Sequence, residues 1–201
     1  HITSLFFALY RLKSLQNLSL NLANVEGIPT LQALADCLCK LPQPLKSLSI
    51  NFNNHRQWMN PTALSFLSPA FKKFTSLQAL HIHAGSYPDV QNQAVLNFFS
   101  SIKDLKNLTD FTFNLRGYPL ENITDDPEPI STGLQLLNSP SSLKTLIIGG
   151  YSNLDDNGLA AISAALQRFS SLQNLSLDFG ENNRITDQSV SVLAATLQNY
   201  I

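Results

Sequence analysis

The stretch Leu15-Gln-Asn-Leu-Ser-Leu-Asn-Leu22 decides the fold, because it returns five more times along the chain. Its second copy reads Leu45-Lys-Ser-Leu-Ser-Ile-Asn-Phe52. The first leucines of the six copies are residues 15, 45, 77, 108, 143 and 172, which lie 29 to 35 residues apart. Self-similarity at such a period indicates a repeat architecture, in which each repeat is one supersecondary unit.

Each repeat contains two different apolar periods. Within each copy, apolar and polar residues alternate, which predicts a short strand with one buried face. Before each copy the apolar period becomes helical. The clearest helical pattern, before Leu172, consists of Leu159, Ile162, Leu166 and Phe169.

The helical pattern also reaches both ends of the chain and weakens once. It predicts a helical half-repeat over residues 1–12 and a last helix that contains Val190, Leu193 and Leu197. Before Leu143 the pattern is degraded, because Gly133 and Pro140 take the place of apolar residues.

A Leu-x-x-Leu-x-Leu motif followed by a helix resembles the leucine-rich repeat, and the resemblance covers essentially the whole chain. Repeats of this length with helices are similar to the intracellular, ribonuclease-inhibitor-like class. In this family an Asn or Cys after the strand bonds the turning backbone, a place held here by Asn24, Asn53 or Asn54, and Asn182 or Asn183.

The expected fold class is therefore α/β. Strands pair about 4.8 Å apart whereas helices need about 8–10 Å, so the stack should curve, with the parallel sheet on its concave side and the helices on its convex side. Residues 1–201 are expected to form a single domain. Neither end shows a polar capping unit, which suggests a segment of a longer array.

Composition excludes several classes of protein. The chain has 201 residues, 44% hydrophobic and 13% charged, with a formal net charge of −1. This balance argues against a nucleic-acid partner, and no apolar run is long enough for membrane insertion. Cys37 and Cys39 lie too close in sequence to pair comfortably, which favours a reducing, intracellular and cytoplasmic setting.

The concave face is the predicted partner-binding surface. Positions three, five and seven of each motif copy should point to this face, which is polar, nearly uncharged and free of Lys and Arg. A phosphate backbone would find nothing there to neutralise its charge. The candidate contact residues on this face are Asn21, Asn51, His81, His83, Asp110, Thr112, Asn114 and Asp178.

The only His-x-His of the chain lies on this face. His81 and His83 could begin a zinc site, but such a site needs three or four ligands. The neighbouring strands offer mainly Ser, Thr and Asn side chains, with Asp110 as the sole carboxylate close by. Surface histidines without a metal or other cofactor are therefore expected.

The loops that leave the strands supply a second set of candidates. They carry the aromatic residues Trp58, Tyr87, Tyr118 and Tyr151, which could anchor a partner along one edge of the solenoid. For Tyr87 and Tyr118 a core-covering role is the alternative interpretation. The longest loop, residues 116–129, contains four acidic residues and could also contribute to specificity.

No sequence motif points to catalysis: the chain has no phosphate-binding glycine loop, Gly-x-Ser-x-Gly or His-Glu-x-x-His. The sequence therefore predicts a non-catalytic module that binds a protein or peptide partner. Two alternatives stay open. The solenoid could be a spacer or scaffold subunit in a large assembly. It could also be the regulatory or targeting region of a larger enzyme, such as a kinase or ubiquitin ligase.

Overall fold

The computed structural model describes residues 2–9, 11–23, 25, 27–41, 44–53, 61–84, 92–115, 128–139, 141–150, 154–180 and 184–198. Helices and strands alternate along this part of the chain. The helices are α1 (Ile2–Leu9), α2 (Ile28–Lys40), α3 (Pro61–Lys73), α4 (Asn92–Ile102), α5 (Glu128–Leu136), α6 (Asp156–Leu166) and α7 (Asp187–Leu197). The strands are β1 (Asn17–Asn21), β2 (Ser47–Asn51), β3 (Ala79–His83), β4 (Asp110–Asn114), β5 (Thr145–Gly149) and β6 (Asn174–Asp178).

The six strands form one parallel sheet in the order β1-β2-β3-β4-β5-β6. Each strand begins two residues after the first leucine of a motif copy, as Asn17 follows Leu15. Consecutive helices also contact each other along the chain, from α1 against α2 to α6 against α7. This arrangement confirms the predicted α/β solenoid.

One hydrophobic core runs between the helices and the sheet. Strand residues at motif positions four and six face it, and in the four central strands they are completely buried, as Leu48 and Ile50 are in β2. The predicted helical pattern before Leu172 is also buried, with Leu159 at 1% exposure and Ile162 at 0%. The alternation of polar and apolar residues therefore sets both the strand register and the buried face.

The ends of the array are less well covered than its middle. In α1, Phe6 is buried while Leu5 is 49% exposed. In α7, Val190 is 49% exposed, and Leu193 is only partly buried. The physical reason is that each terminal helix has a contacting helix on one side only within the described part of the chain.

A carboxylate in α6 holds the start of α7. Asp156 accepts hydrogen bonds from the Ser189 hydroxyl at 2.6 Å, and from the Thr186 backbone N–H and hydroxyl at 2.7 Å each. The bonds from Ser189 and then Thr186 stabilise the ionised form, so they lower the pKa of Asp156. Two consecutive repeats are thus joined by a charge at a helix N-terminus, where the helix dipole favours it.

Candidate functional site

The face of the sheet opposite the core consists of three aligned rows, because all six strands pair in register. The first row is Asn17, Ser47, Ala79, Asp110, Thr145 and Asn174. The second row is Ser19, Ser49, His81, Thr112, Ile147 and Ser176. The third row is Asn21, Asn51, His83, Asn114, Gly149 and Asp178.

We name these three rows the sheet face. In the six strands, all of which the structure describes, none of its positions carries Lys or Arg. Most of its side chains are exposed or half-buried. The structure therefore brings the eight candidate contact residues onto one surface, although it does not leave all of them available.

His81 lies in the middle of the sheet face and contacts the neighbouring strand β4. This side chain is half-buried, and its Nδ1 lies 2.9 Å from the Thr112 hydroxyl on the next strand. Asp110 accepts a hydrogen bond of 2.7 Å from the hydroxyl of Thr109. Strands β3 and β4 thus present a partly buried patch of imidazole, hydroxyl and carboxylate groups, in which polar contacts are worth more than in water.

Thr112 corrects one prediction about this face. It was expected to be exposed, but it is only 3% exposed. Its neighbours in the row are His81 and Ile147, whose larger side chains flank it, and it is bonded to the imidazole. Thr112 therefore orients His81, whose imidazole is the more exposed of the two side chains.

Three candidates in the third row close turns. Side-chain oxygens of Asn21, Asn51 and Asp178 accept hydrogen bonds from the backbone N–H two residues later, at 3.1, 2.9 and 3.0 Å. These are Asx turns, which let the chain leave the strand. Of the Asn residues predicted to bond the turning backbone, Asn53 takes part here through its backbone N–H, and Asn24, Asn54, Asn182 and Asn183 lie outside the described residues. The recurrence of Asn and Asp as the last strand residue was the sequence signal.

The protonation of His81 follows from its position. Burial lowers the pKa of His81 below its ordinary value of 6.5, nearby Asp110 raises it, and His83 lowers it further. The unfolded chain therefore holds the His81 proton more tightly than the folded chain does. This contribution to stability is complete above about pH 6.5, the unfolded value, and decreases as the pH falls below it.

We expect an NMR titration of the imidazole resonances to give His81 a midpoint below 6.5, since burial is the largest cause of its shift. In His81→Gln, the loss of stability between about pH 7 and pH 5 should be smaller than in the parent, as measured by urea unfolding at both values. His83→Gln should leave most of the loss in place, because burial and not His83 is the largest cause of the His81 shift. A His81 midpoint at or above 6.5 would contradict the buried imidazole.

The structure describes the candidate metal ligands on the sheet but not the aromatic candidates in the loops. Among the described residues, no group of three or more His, Cys, Asp or Glu side chains is placed to hold a metal ion. Within the same ranges, no helix has the length and apolar character needed to cross a bilayer. Trp58, Tyr87, Tyr118 and Tyr151 lie outside the described residues, as does most of the acidic loop.

Comparison with known proteins identifies a type of fold. No family model and no curated protein matches the sequence. The solved structure of a tropomodulin C-terminal domain from Caenorhabditis elegans matches 100% of this chain and 93% of that chain, with a TM-score of 0.50 and 11% identity. It is a leucine-rich-repeat type of fold with a parallel sheet, and at this identity the likeness concerns the fold alone.

A second solved structure, a complex of Rad7 and Elc1 in yeast, gives a weaker match. It covers 96% of this chain and 59% of that chain at 17% identity, with a TM-score of 0.32. That score is too low to support a structural argument.

The fold of the present chain is an α/β leucine-rich-repeat solenoid, as its own strand register indicates.

Proposed function

We propose that this chain is a non-catalytic protein-interaction module that binds a protein or peptide partner through the sheet face. The observation that carries the proposal is the sheet face itself: six strands in register present a continuous, polar surface without Lys or Arg. Repeat solenoids commonly use such extended concave surfaces for binding. We also propose that its repeats belong to the ribonuclease-inhibitor-like class.

His81 is the proposed centre of the contact. Its side chain is half-buried and oriented by Thr112, whose hydroxyl lies 2.9 Å from Nδ1. Interface energy concentrates in a few ordered side chains near the centre of a patch. His83, Asp110 and Asn114 are proposed as surrounding contacts. Asn21, Asn51 and Asp178 contribute mainly by fixing the turns at the edge, and the four loop aromatic residues remain proposed contacts.

A reducing, cytoplasmic setting is also proposed. Cys37 is buried and Cys39 half-buried, and both thiols are free. Burial raises the pKa of Cys37 to about 11, despite the opposing charge of Lys40, so this thiol stays protonated and unreactive at neutral pH. Two unpaired thiols are usual where the cell keeps cysteines reduced.

The test is affinity capture from the source cells with two charge-matched variants beside the parent. Ser49→Lys with Thr145→Glu changes the sheet face without touching the Asx turns. Gln32→Lys with Ala164→Glu makes the same change of charge at exposed helix positions. A partner that the parent and helix variant retain, and that the folded sheet variant loses, supports the proposal. Equal retention by both variants would overturn it.

A spacer role is the second candidate, because apolar side chains are exposed at both ends of the described array. In α1 and the turn after it, Phe7 is 59% exposed and Leu12 is 50% exposed; in α7, Val192 is 44% exposed. These side chains support a proposal that further repeats or subunits stack on the ends. If neither variant above loses its partners, contact through the ends becomes the better explanation. A regulatory region of a larger enzyme stays a prediction.

A further inference from the structure

The basic residues of this chain are concentrated along one edge of the solenoid. Ten of the thirteen Lys and Arg residues lie between the last turn of a helix and the first residue of the next strand. They are Arg11, Lys13, Lys40, Lys46, Lys72, Lys73, Lys103, Lys106, Lys144 and Arg168. Because the strands are parallel, these segments lie at the same edge of the sheet.

We name these ten residues the basic edge. Only two acidic residues, Asp104 and Asp110, lie in the same segments, so ten positive and two negative charges leave a formal charge of +8. All ten residues belong to the described part of the chain, and all except Lys103 are exposed. The overall net charge of −1 hides this separation, because eleven of the fourteen acidic residues occur in the sequence between a strand's last residue and the next helix's first turn.

The fold explains part of the basic edge. The Lys73 Nζ donates to the carbonyl of Cys39, near the end of the preceding helix. Arg168 donates in the same way to the carbonyls of Gln135 and, at 3.4 Å, Leu134. These cations satisfy helix C-terminal carbonyls and oppose the helix dipole, so they have a structural role.

Three of the other charges, those of Lys46, Lys106 and Lys144, are not explained by the helix ends. Lys46 and Lys144 directly precede strands, and Lys106 lies in a turn four residues after the end of α4. The effect of the helix dipole is confined to the last turn, and exposed like charges on neighbouring repeats repel one another. A row of such charges costs stability and attracts an anionic partner.

The chemistry of the edge favours a polypeptide over the other anions. Lys and Arg side chains bind phosphate and carboxylate groups alike, but this edge presents helix C-termini and not the helix N-termini whose backbone N–H groups often complete a phosphate site. Single-stranded nucleic acids also need a series of aromatic side chains for stacking. In the described edge segments only one aromatic side chain is exposed, that of Phe7 in the last turn of α1, whereas Phe6, Phe71, Phe74, Phe99 and Phe169 are buried. Membrane-surface segments insert apolar side chains. The exposed large apolar side chains of the described edge are Phe7 and Leu12, both at one end of the array, and Leu136 at 36% exposure, so they form no continuous row.

We propose that the basic edge is a second interaction surface, which binds an acidic polypeptide segment. Neighbouring repeats lie about 4.8 Å apart at the strands and about 8–10 Å apart at the helices, and an extended peptide advances about 3.3 Å per residue. One carboxylate in every second or third residue would therefore match the spacing of the repeats along this edge. This surface is separate from the sheet face, so its test does not depend on the function proposed above.

The test measures binding of a fluorescent, end-blocked peptide with glutamate at every third residue, at about 10 mM salt, where screening is weak. The edge variant is Lys46→Gln with Lys106→Gln and Lys144→Gln. The matched control, Gln32→Glu with Ala164→Glu and Gln188→Glu, has the same net charge but changes exposed helix positions. We expect the edge variant to bind about tenfold more weakly than the parent, and the control to bind as the parent does.

Three results would overturn the proposal. One is an equal loss of affinity in both variants, because binding would then follow net charge alone. A second is tighter binding of an oligothymidylate of equal charge, or of vesicles containing phosphatidylserine, than of the peptide, since the edge would then take a different anion. The third is no measurable peptide binding by the parent at this low salt concentration.

Discussion

Leu48→Asp is expected to lower the free energy of unfolding by about 4 kcal/mol or more. Leu48 lies in the second strand of the sheet with 0% exposure and belongs to the continuous core. A carboxylate at this position has no partner and no water, and its desolvation adds to the lost apolar burial. Urea unfolding followed by far-ultraviolet circular dichroism measures the change, provided that the midpoint and slope are both fitted.

The adjacent residue provides the control. Ser49 is half-buried on the opposite side of the same strand, so Ser49→Asp should cost less than about 1 kcal/mol. Leu175→Asp, at the same motif position in the last strand, should cost only about 1–2 kcal/mol, because Leu175 is partly buried. Equal losses at residues 48 and 49 would contradict the assignment of the two faces.

The six strands and their register were predictable from the sequence for a physical reason. A strand with one buried face needs an apolar residue at every second position, and a slip of one residue would expose the whole set. The motif from Leu15 to Leu22 satisfies this requirement over its whole length. Repetition makes the signal stronger, because each copy predicts the same geometry independently.

Which side chains of the sheet face are exposed to a partner was not predictable from the alternation of residues. The alternation places Thr112 on the solvent side, but its burial depends on the sizes of His81 and Ile147 on two other strands. Likewise, the polarity of Asn51 suggested a contact for a partner, while its side-chain oxygen is bonded to a backbone N–H of the same loop. Sequence patterns give the direction of a side chain and leave its neighbours undetermined.

The separation of basic from acidic residues between the two edges of the sheet was likewise not predictable from the composition. Overall composition gave a net charge of −1 and argued against a nucleic-acid partner. Once helices and strands have bounds, the same residues divide between two kinds of connection, and Lys46, Lys106 and Lys144 align at one edge. Patterning along the repeat, and not total charge, determines the field that a partner meets.

The degraded helix before Leu143 has a packing explanation. Gly133 in α5 occupies a position that is apolar in the other repeats, and this absence of a side chain looked like a weak repeat. A Cβ atom built on Gly133 would lie 2.3 Å from a ring carbon of Phe99. Phe99 is itself fully buried and belongs to a cluster with Phe98, Phe111 and Phe113. The ring therefore fills the space that a side chain at residue 133 would otherwise occupy.

Gly133→Ala is accordingly expected to destabilise the protein by about 2 kcal/mol, although alanine is the better helix former by about 1 kcal/mol. The ring of Phe99 cannot move away easily, because it makes edge contacts with Phe111 and Phe113 at centroid distances of 5.8 and 5.5 Å. Overpacking against an aromatic cluster forces shifts in several side chains at once. Urea unfolding of the parent and variant under the same conditions measures the difference.

A double-variant cycle with Phe99→Ala gives the decisive comparison. Without the Phe99 ring, the added methyl group no longer overlaps a neighbouring side chain. Gly133→Ala should therefore stabilise the Phe99→Ala protein by about 0.5–1 kcal/mol through helix propensity. The same substitution thus changes sign with its background, which a general effect on the helix would not produce. Equal destabilisation in both backgrounds would show that Gly133 is required for another reason than the space taken by Phe99.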